Sequence, residues 1–293
     1  MRSTSAKTED CGAAAEACRR SVGRRGMIGA VVGDVAGSRF EWHNCKNRNF
    51  QLLTPECRIT DDSVMTLAVA DAVLKSDGCR ESLSRNAVES MRAFGRRWAR
   101  GCYGGRFAKW LESDDPRPYG SFGNGSAMRV SACAWAAVSL EDALDMARRV
   151  TVVTHDHPEG IRGAEAVAAV IWLAGTGESS EEIRRIVERS WYRLNFRLDD
   201  IRDEYTFDVS CQGSVPQAIE AFLEADSGES AVRNAVSLGG DSDTIAAMAG
   251  SMAEARFGVP DELRTRILTY LEQPLIDVLE RFERRFSVSF PAR

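Results

Sequence analysis

Histidine is nearly absent, with three residues in a chain of 293, at positions 43, 155 and 157. A metal site built on imidazole therefore has almost no material. Proline is scarce too, eight in all, and none divides the chain into halves. The eight cysteines never fall in a C-x-x-C spacing, which removes the zinc-ribbon and redox-motif readings. The first 26 residues have no apolar leader, so the cysteines are expected to be reduced thiols of a cytoplasmic protein. No apolar run approaches the ~20 residues that a membrane helix needs; the stretch 164–174 is interrupted by Glu165. Basic surplus is lacking as well: 38 Lys and Arg stand against 43 Asp and Glu, a net charge of −5. A dedicated nucleic-acid surface needs the opposite balance. Alternating β-branched runs are the last shortage, with 151–154 the one short strand candidate.

What is present is helical periodicity. Segments 27–40, 87–99, 127–138, 143–151, 161–174, 181–191, 215–223, 230–236, 244–257 and 261–282 read as helices. So does the run after Asp62, where Val64, Leu67, Ala68, Ala72 and Val73 share one face. The expected fold is all-α, a single compact domain over 27–293 behind a loose tail over 1–26, with a short helix conceivable at 13–20. Gly, Asp and Pro cluster in 101–124, which reads as loop.

Two acidic helix starts carry the first chemical signal. Thr60-Asp61-Asp62-Ser63 precedes one apolar run, and Gly239-Gly240-Asp241-Ser242-Asp243-Thr244 precedes another. Each alone is explained by N-capping and by acids complementing the helix dipole. Together, four carboxylates and two hydroxyls form a set of hard oxygen ligands suited to Mg²⁺, Mn²⁺ or Ca²⁺, provided the two starts meet in space.

Gly29, Gly33 and Gly37 recur every fourth residue along one helical row. Each costs roughly 1 kcal/mol relative to Ala in a helix interior, and close approach of another backbone or of a ligand is the usual compensation. Asp34 lies inside this apolar run, and Glu41 follows seven residues later, nearly on the same face. The bland reading is one hydrogen-bonded acid and one exposed one.

Two Gly-rich loops, 101–105 and 119–125, offer backbone N–H groups near helix starts, where anions are favoured. Phe122 is suited to stack on a base or ribose. Neither loop matches a phosphate-binding P-loop or dinucleotide fingerprint. His155 and His157 flank Asp156, but no third zinc ligand has suitable spacing. A nucleophile elbow is likewise absent.

Taken in order, GAVVGDVAGSRFE at 29–41, TDDS at 60–63, GSFGNGSAMR at 120–129, TH at 154–155 and GGDSDT at 239–244 resemble the ADP-ribosylglycohydrolase family. The resemblance implies an orthogonal helical bundle holding two Mg²⁺ or Mn²⁺ ions. It further implies hydrolysis of the bond joining ADP-ribose to a protein side chain or small acceptor. Its metal ligands fall on Thr60, Asp61, Asp62, Asp241, Asp243 and Thr244, and its catalytic acids on Glu41, Asp61, Asp62 and Asp243. Its substrate contacts fall on Gly101, Cys102, Tyr103, Gly104, Gly105, Gly120, Ser121, Phe122, Gly123, Asn124 and His155. Ser63 and Phe122 depart from the commoner Thr and Tyr, and the tail has no counterpart. Expected partners are ADP-ribose conjugates, with no membrane and no dedicated nucleic-acid binding; the acceptor and the oligomeric state are left open. A non-catalytic ADP-ribose or nucleotide-binding module and a Mg²⁺-dependent phosphohydrolase of ADP-ribose-type diphosphates are the competing readings.

Overall fold

The two helices that carry the small-residue runs cross with their backbones in contact, and the rest of the fold is arranged around that crossing. The structure, a computed structural model, describes residues 26–286; apart from Gly26, the tail expected over 1–26 lies outside them. Helix Gly29–Gly37 packs on helix Ser242–Phe257 more extensively than any other two elements pack on one another. A Cβ on Gly33 would overlap the Ala246 carbonyl, and one on Gly37 would lie 2.5 Å from the Asp243 Cα. Neighbouring backbone, not ligand, therefore accounts for the glycine row. Every residue of the first helix and nearly all of the second is buried, so neither has the polar face of a surface helix.

Further helices surround this crossing. Asp61–Ser76 packs on Arg80–Arg97, Leu140–Thr151 on Pro158–Gly175, and Cys211–Leu223 and Gly228–Leu238 on the central Ser242–Phe257. Among the described residues there are fourteen α-helices and no strand; an isolated bridge joins Gly123 and Ser210. The all-α expectation holds. No described helix is long and apolar enough to cross a membrane. The six described cysteines are all free thiols.

Four local expectations are corrected. The strand candidate 151–154 is the end of helix Leu140–Thr151, closed by the Val152, Thr154 and His155 amides bonding back to Arg148 and Thr151 carbonyls. The loop 101–124 contains a helix, Gly105–Glu112, driven by burial of Phe107, Trp110 and Leu111 on one face. The helix expected from 127 begins only at Ser131, after the 3-10 turn Asn124–Ser126. The long helix over 261–282 is two, Asp261–Leu268 and Gln273–Phe286. Pro274, with no N–H to continue the first, sits at the start of the second, where none is needed.

Candidate active site

Both acidic helix starts open into one cleft of about 560 Å³, a size suited to a nucleotide-sized ligand. Thr60 caps helix Asp61–Ser76, its hydroxyl accepting the Asp62 N–H at 3.3 Å. That part of the capping reading is right. Asp241 occupies the N-cap position of Ser242–Phe257 but makes no side-chain capping bond. Its Oδ2 is instead held by the Asn124 amide at 2.6 Å. Asp62 Oδ2 accepts the Thr244 hydroxyl at 3.1 Å, tying the two helix starts together across the cleft.

The carboxylates form two groups in which ligand atoms lie within 4.8 Å of one another: Asp34, Asp62 and Asp243, and Glu41, Asp241 and Asp243. Asp243 is common to both. Burial raises the pKa values of Asp61, Asp62 and Asp243 well above the usual carboxylate range, and neighbouring acids raise them further. Asp241 and Glu41 are raised, again mainly by burial. Asp62 Oδ1 is buried with no hydrogen-bond partner. Uncompensated acids packed this closely are unfavourable, and divalent cations on hard oxygen ligands relieve the repulsion. The donor set therefore fits a metal centre.

Asp34 was not among the residues expected to bind metal, although its place in an apolar run marked it out. Its Oδ1 accepts the Thr60 hydroxyl at 2.7 Å, and its Oδ2 accepts the amides of Thr60 at 2.9 Å and Ser63 at 3.1 Å as well as the Ser63 hydroxyl. With four donors the carboxylate is saturated. We assign it to holding the Thr60–Ser63 turn, not to ligating a cation. Asp61 lines the cleft but belongs to neither three-carboxylate group.

The lining of the same cleft also carries donors. Helix Gly105–Glu112 begins at the cleft, with Gly101, Cys102, Tyr103, Gly104 and Gly105 along the lining and Arg106 beside them. Nothing lies within 4 Å of where a Cβ would stand on Gly101, Gly104 or Gly105, so this backbone is open to a ligand. Ser121, Gly123 and Asn124 line the cleft, whereas Gly120 and Phe122 do not. The Gly120 amide is held by Asp156 at 2.6 Å, and the Phe122 ring packs 5.3 Å from His157. The loop is fixed to the segment Val209–Cys211 by Asn124 N–H to Val209 O at 2.7 Å and Cys211 N–H to Phe122 O at 2.9 Å.

His155 is buried in the lining, and burial, with Arg129 and Arg106 nearby, lowers its pKa well below 6.5. Its Nδ1 lies 2.7 Å from the Thr154 hydroxyl, which accepts the Arg129 guanidinium at 2.7 Å. The hydroxyl proton has a poorer alternative in the Thr151 carbonyl at 3.4 Å. It is therefore assigned to Nδ1, which puts the ring proton on Nε2, next to Gly123 and Gly125 in the cleft. His155 is thus a neutral hydrogen-bond donor. Trp42, Arg106, Tyr119, Arg129, Phe207 and Val209 also line the cleft and were not among the expected contacts. Tyr119 and Arg129 belong to the Gly-rich segment already singled out, Arg106 follows the other Gly-rich loop and Trp42 adjoins Glu41, whereas Phe207 and Val209 gave no sequence signal. A larger cavity of about 870 Å³, beside Glu254 and Arg266, contains none of the acidic motifs.

Comparison with known proteins shows the family. Human ADP-ribosylhydrolase ARH3 is 26% identical over 82% of this chain and 87% of its own length. The Xenopus tropicalis ADP-ribosylhydrolase ARH3 is 24% identical over 80% and 87%. A solved structure described as an ADP-ribosylglycohydrolase-related protein complex superimposes with a TM-score of 0.63 at 21% identity, covering 88% of this chain and 95% of that one. The sequence model of the ADP-ribosylglycohydrolase family matches residues 16–290, nearly the full length, and the chain belongs to that family.

Proposed function

We propose that the protein is a divalent-cation-dependent glycohydrolase that releases ADP-ribose from an acceptor, a protein side chain or a small conjugate, and so reverses ADP-ribosylation. The observation that carries this reading is the convergence of Glu41, Asp62, Asp241 and Asp243 in a cleft whose lining also offers N–H donors. Thr60, Asp61, Asp62, Asp241, Asp243 and Thr244 are the residues proposed to hold two Mg²⁺ or Mn²⁺ ions. Such ions supply a polarised water and orient sugar hydroxyls.

The chain's own groups do the rest. The start of helix Gly105–Glu112 and Arg106 suit a diphosphate. His155 donates its Nε2 proton to a substrate oxygen and stays neutral at pH 7. Asn124 fixes the rotamer of Asp241. Glu41 is half-buried, and its raised pKa suits it to accept a proton from water or to deliver one to the leaving acceptor. Asp61, Asp62 and Asp243 complete the proposed acidic machinery around a transition state of oxocarbenium character. Residues 27–293 are proposed as one catalytic domain.

The test is mass detection of intact ADP-ribose released from Ser-, Arg- and O-acetyl-linked conjugates, with and without EDTA. Release that EDTA abolishes is expected. Inorganic phosphate or AMP as product favours a phosphohydrolase, and tight binding without product favours a binding module. Either result overturns the proposal.

A further inference from the structure

Five large hydrophobic side chains are exposed among the described residues, and three of them, Trp42, Phe207 and Val209, line the catalytic cleft. Trp42 is 70% exposed, yet its ring stacks on Phe207 with centroids 5.3 Å apart and planes 21° apart. The stack stands on a rigid base. Asn44 donates to the carbonyls of Phe40, Glu41 and Gly240 and accepts the Gly240 amide at 2.9 Å. The Lys46 ammonium donates to the carbonyls of Arg202, Tyr205 and Leu238 at 2.6–2.7 Å. These bonds lock the segment after Glu41 to the loop that carries Phe207. An aromatic pair held in place and left open to water is a feature of recognition surfaces.

Its position indicates which part of a substrate it meets. Trp42 follows Glu41, a member of the acidic centre, and lines the cleft together with Phe207. With the scissile bond at the acidic centre, an acceptor leaving the cleft beside Glu41 meets the Trp42–Phe207 stack. The loop also bears Asp203, Glu204 and Asp208, all exposed. A small acceptor would end inside the cleft and leave the stack uncovered. A polypeptide with basic residues complements both the apolar face and the carboxylates, because Lys and Arg lay apolar stems on aromatic rings while their charged ends meet acids.

We propose that the Trp42–Phe207 stack, with the acidic loop beside it, is an acceptor-side docking lip for a basic polypeptide segment that carries the ADP-ribosylated residue. This rests on the glycohydrolase reading above.

The test presents one cleavable linkage in three settings: as the free amino-acid conjugate, within a Lys- and Arg-bearing peptide, and within a Glu- and Asp-bearing peptide. Wild-type protein is expected to show kcat/KM about tenfold higher for the basic peptide than for the other two, the size of one interface anchor. Trp42→Ala and, separately, Phe207→Ala, both at exposed positions, are expected to cut that advantage to about threefold or less. Raising the salt from about 50 to about 300 mM should shrink it as well. Equal kcat/KM for all three substrates, an equal advantage for the acidic peptide, or equal losses on peptide and free conjugate would overturn the proposal. So would a concentration-dependent dimer that Trp42→Ala abolishes, since the lip would then bind a second copy. Fluorescence anisotropy of the unmodified basic peptide needs no turnover. Peptide binding without ADP-ribose release would count against the glycohydrolase reading alone, and ADP-ribose release without peptide binding against the lip alone.

Discussion

Asp34 binds Thr60 twice, accepting its amide at 2.9 Å and its hydroxyl at 2.7 Å, from a helix 26 residues earlier in the chain. The geometry of the Thr60–Ser63 turn is therefore set by an acid that does not itself face the substrate. Asp34→Asn exchanges an acceptor oxygen for an NH₂ group that meets the donors of Thr60 or Ser63. Broken buried networks of this kind cost roughly 3 kcal/mol. A lower Tm and a Mg²⁺ requirement raised about tenfold or more are expected, measured by thermal denaturation and by activity against metal concentration. Wild-type values for both would show that the turn holds its shape unaided.

Gly33→Ala places a methyl group into the Ala246 carbonyl. The helices can separate only by shifting backbone that ends at Asp243, so a loss of at least about 2 kcal/mol is expected in urea denaturation, with activity reduced in parallel. A neutral substitution would mean that the crossing is looser than described.

Glu254 is fully buried and accepts the Gly29 amide at 2.6 Å; burial pushes its carboxyl up to about 8 from 4.5. Between those values the folded protein retains a proton that the unfolded chain has released. Its contribution to stability is full below about pH 4.5, declines as pH rises and levels off above about 8, at no more than about 1.4 kcal/mol per pH unit. Glu254→Gln keeps an acceptor for Gly29 without the titration. The Tm of the variant should gain on wild type steadily from about pH 5 to about pH 8, and a constant difference would contradict this account.

The chain Arg129 to Thr154 to His155 fixes which ring nitrogen carries the proton. With three histidines in the protein, ¹⁵N NMR can resolve the tautomers directly. Wild-type His155 should show a protonated Nε2 and a bare Nδ1 at pH 7, and a titration midpoint well below 6.5. Thr154→Val should mix the tautomers and weaken ADP-ribose binding by several-fold, the scale of one hydrogen bond. A protonated Nδ1 in the wild type would reverse the assignment.

Much of this site was legible in the sequence because its ligand candidates sit in short local motifs. Asp61 and Asp62 share one helix start, Asp241 and Asp243 another, and Asn124 lies in a Gly-rich turn. The glycine row at 29, 33 and 37 announced a close approach, though not that the Ser242–Phe257 backbone would make it. What local pattern does not encode is pairing between distant segments. The saturation of Asp34 depends on Thr60 and Ser63, and the use of Asn124 depends on Asp241, 117 residues away. Trp42 and Phe207 are 165 residues apart and look like ordinary aromatics until stacked. Phe122 illustrates the opposite case: its loop is at the site, yet its ring turns to His157 and away from the cleft lining.

The central claim is that two acidic helix starts build one centre for divalent cations, with Asp243 common to both carboxylate groups. Mn²⁺ titration followed by electron paramagnetic resonance tests it most directly. Wild-type protein should bind two Mn²⁺ ions that show magnetic coupling, and Asp243→Asn should weaken both sites and abolish the coupling. Two undiminished, uncoupled Mn²⁺ sites in Asp243→Asn, or no Mn²⁺ binding by the wild type, would contradict the account.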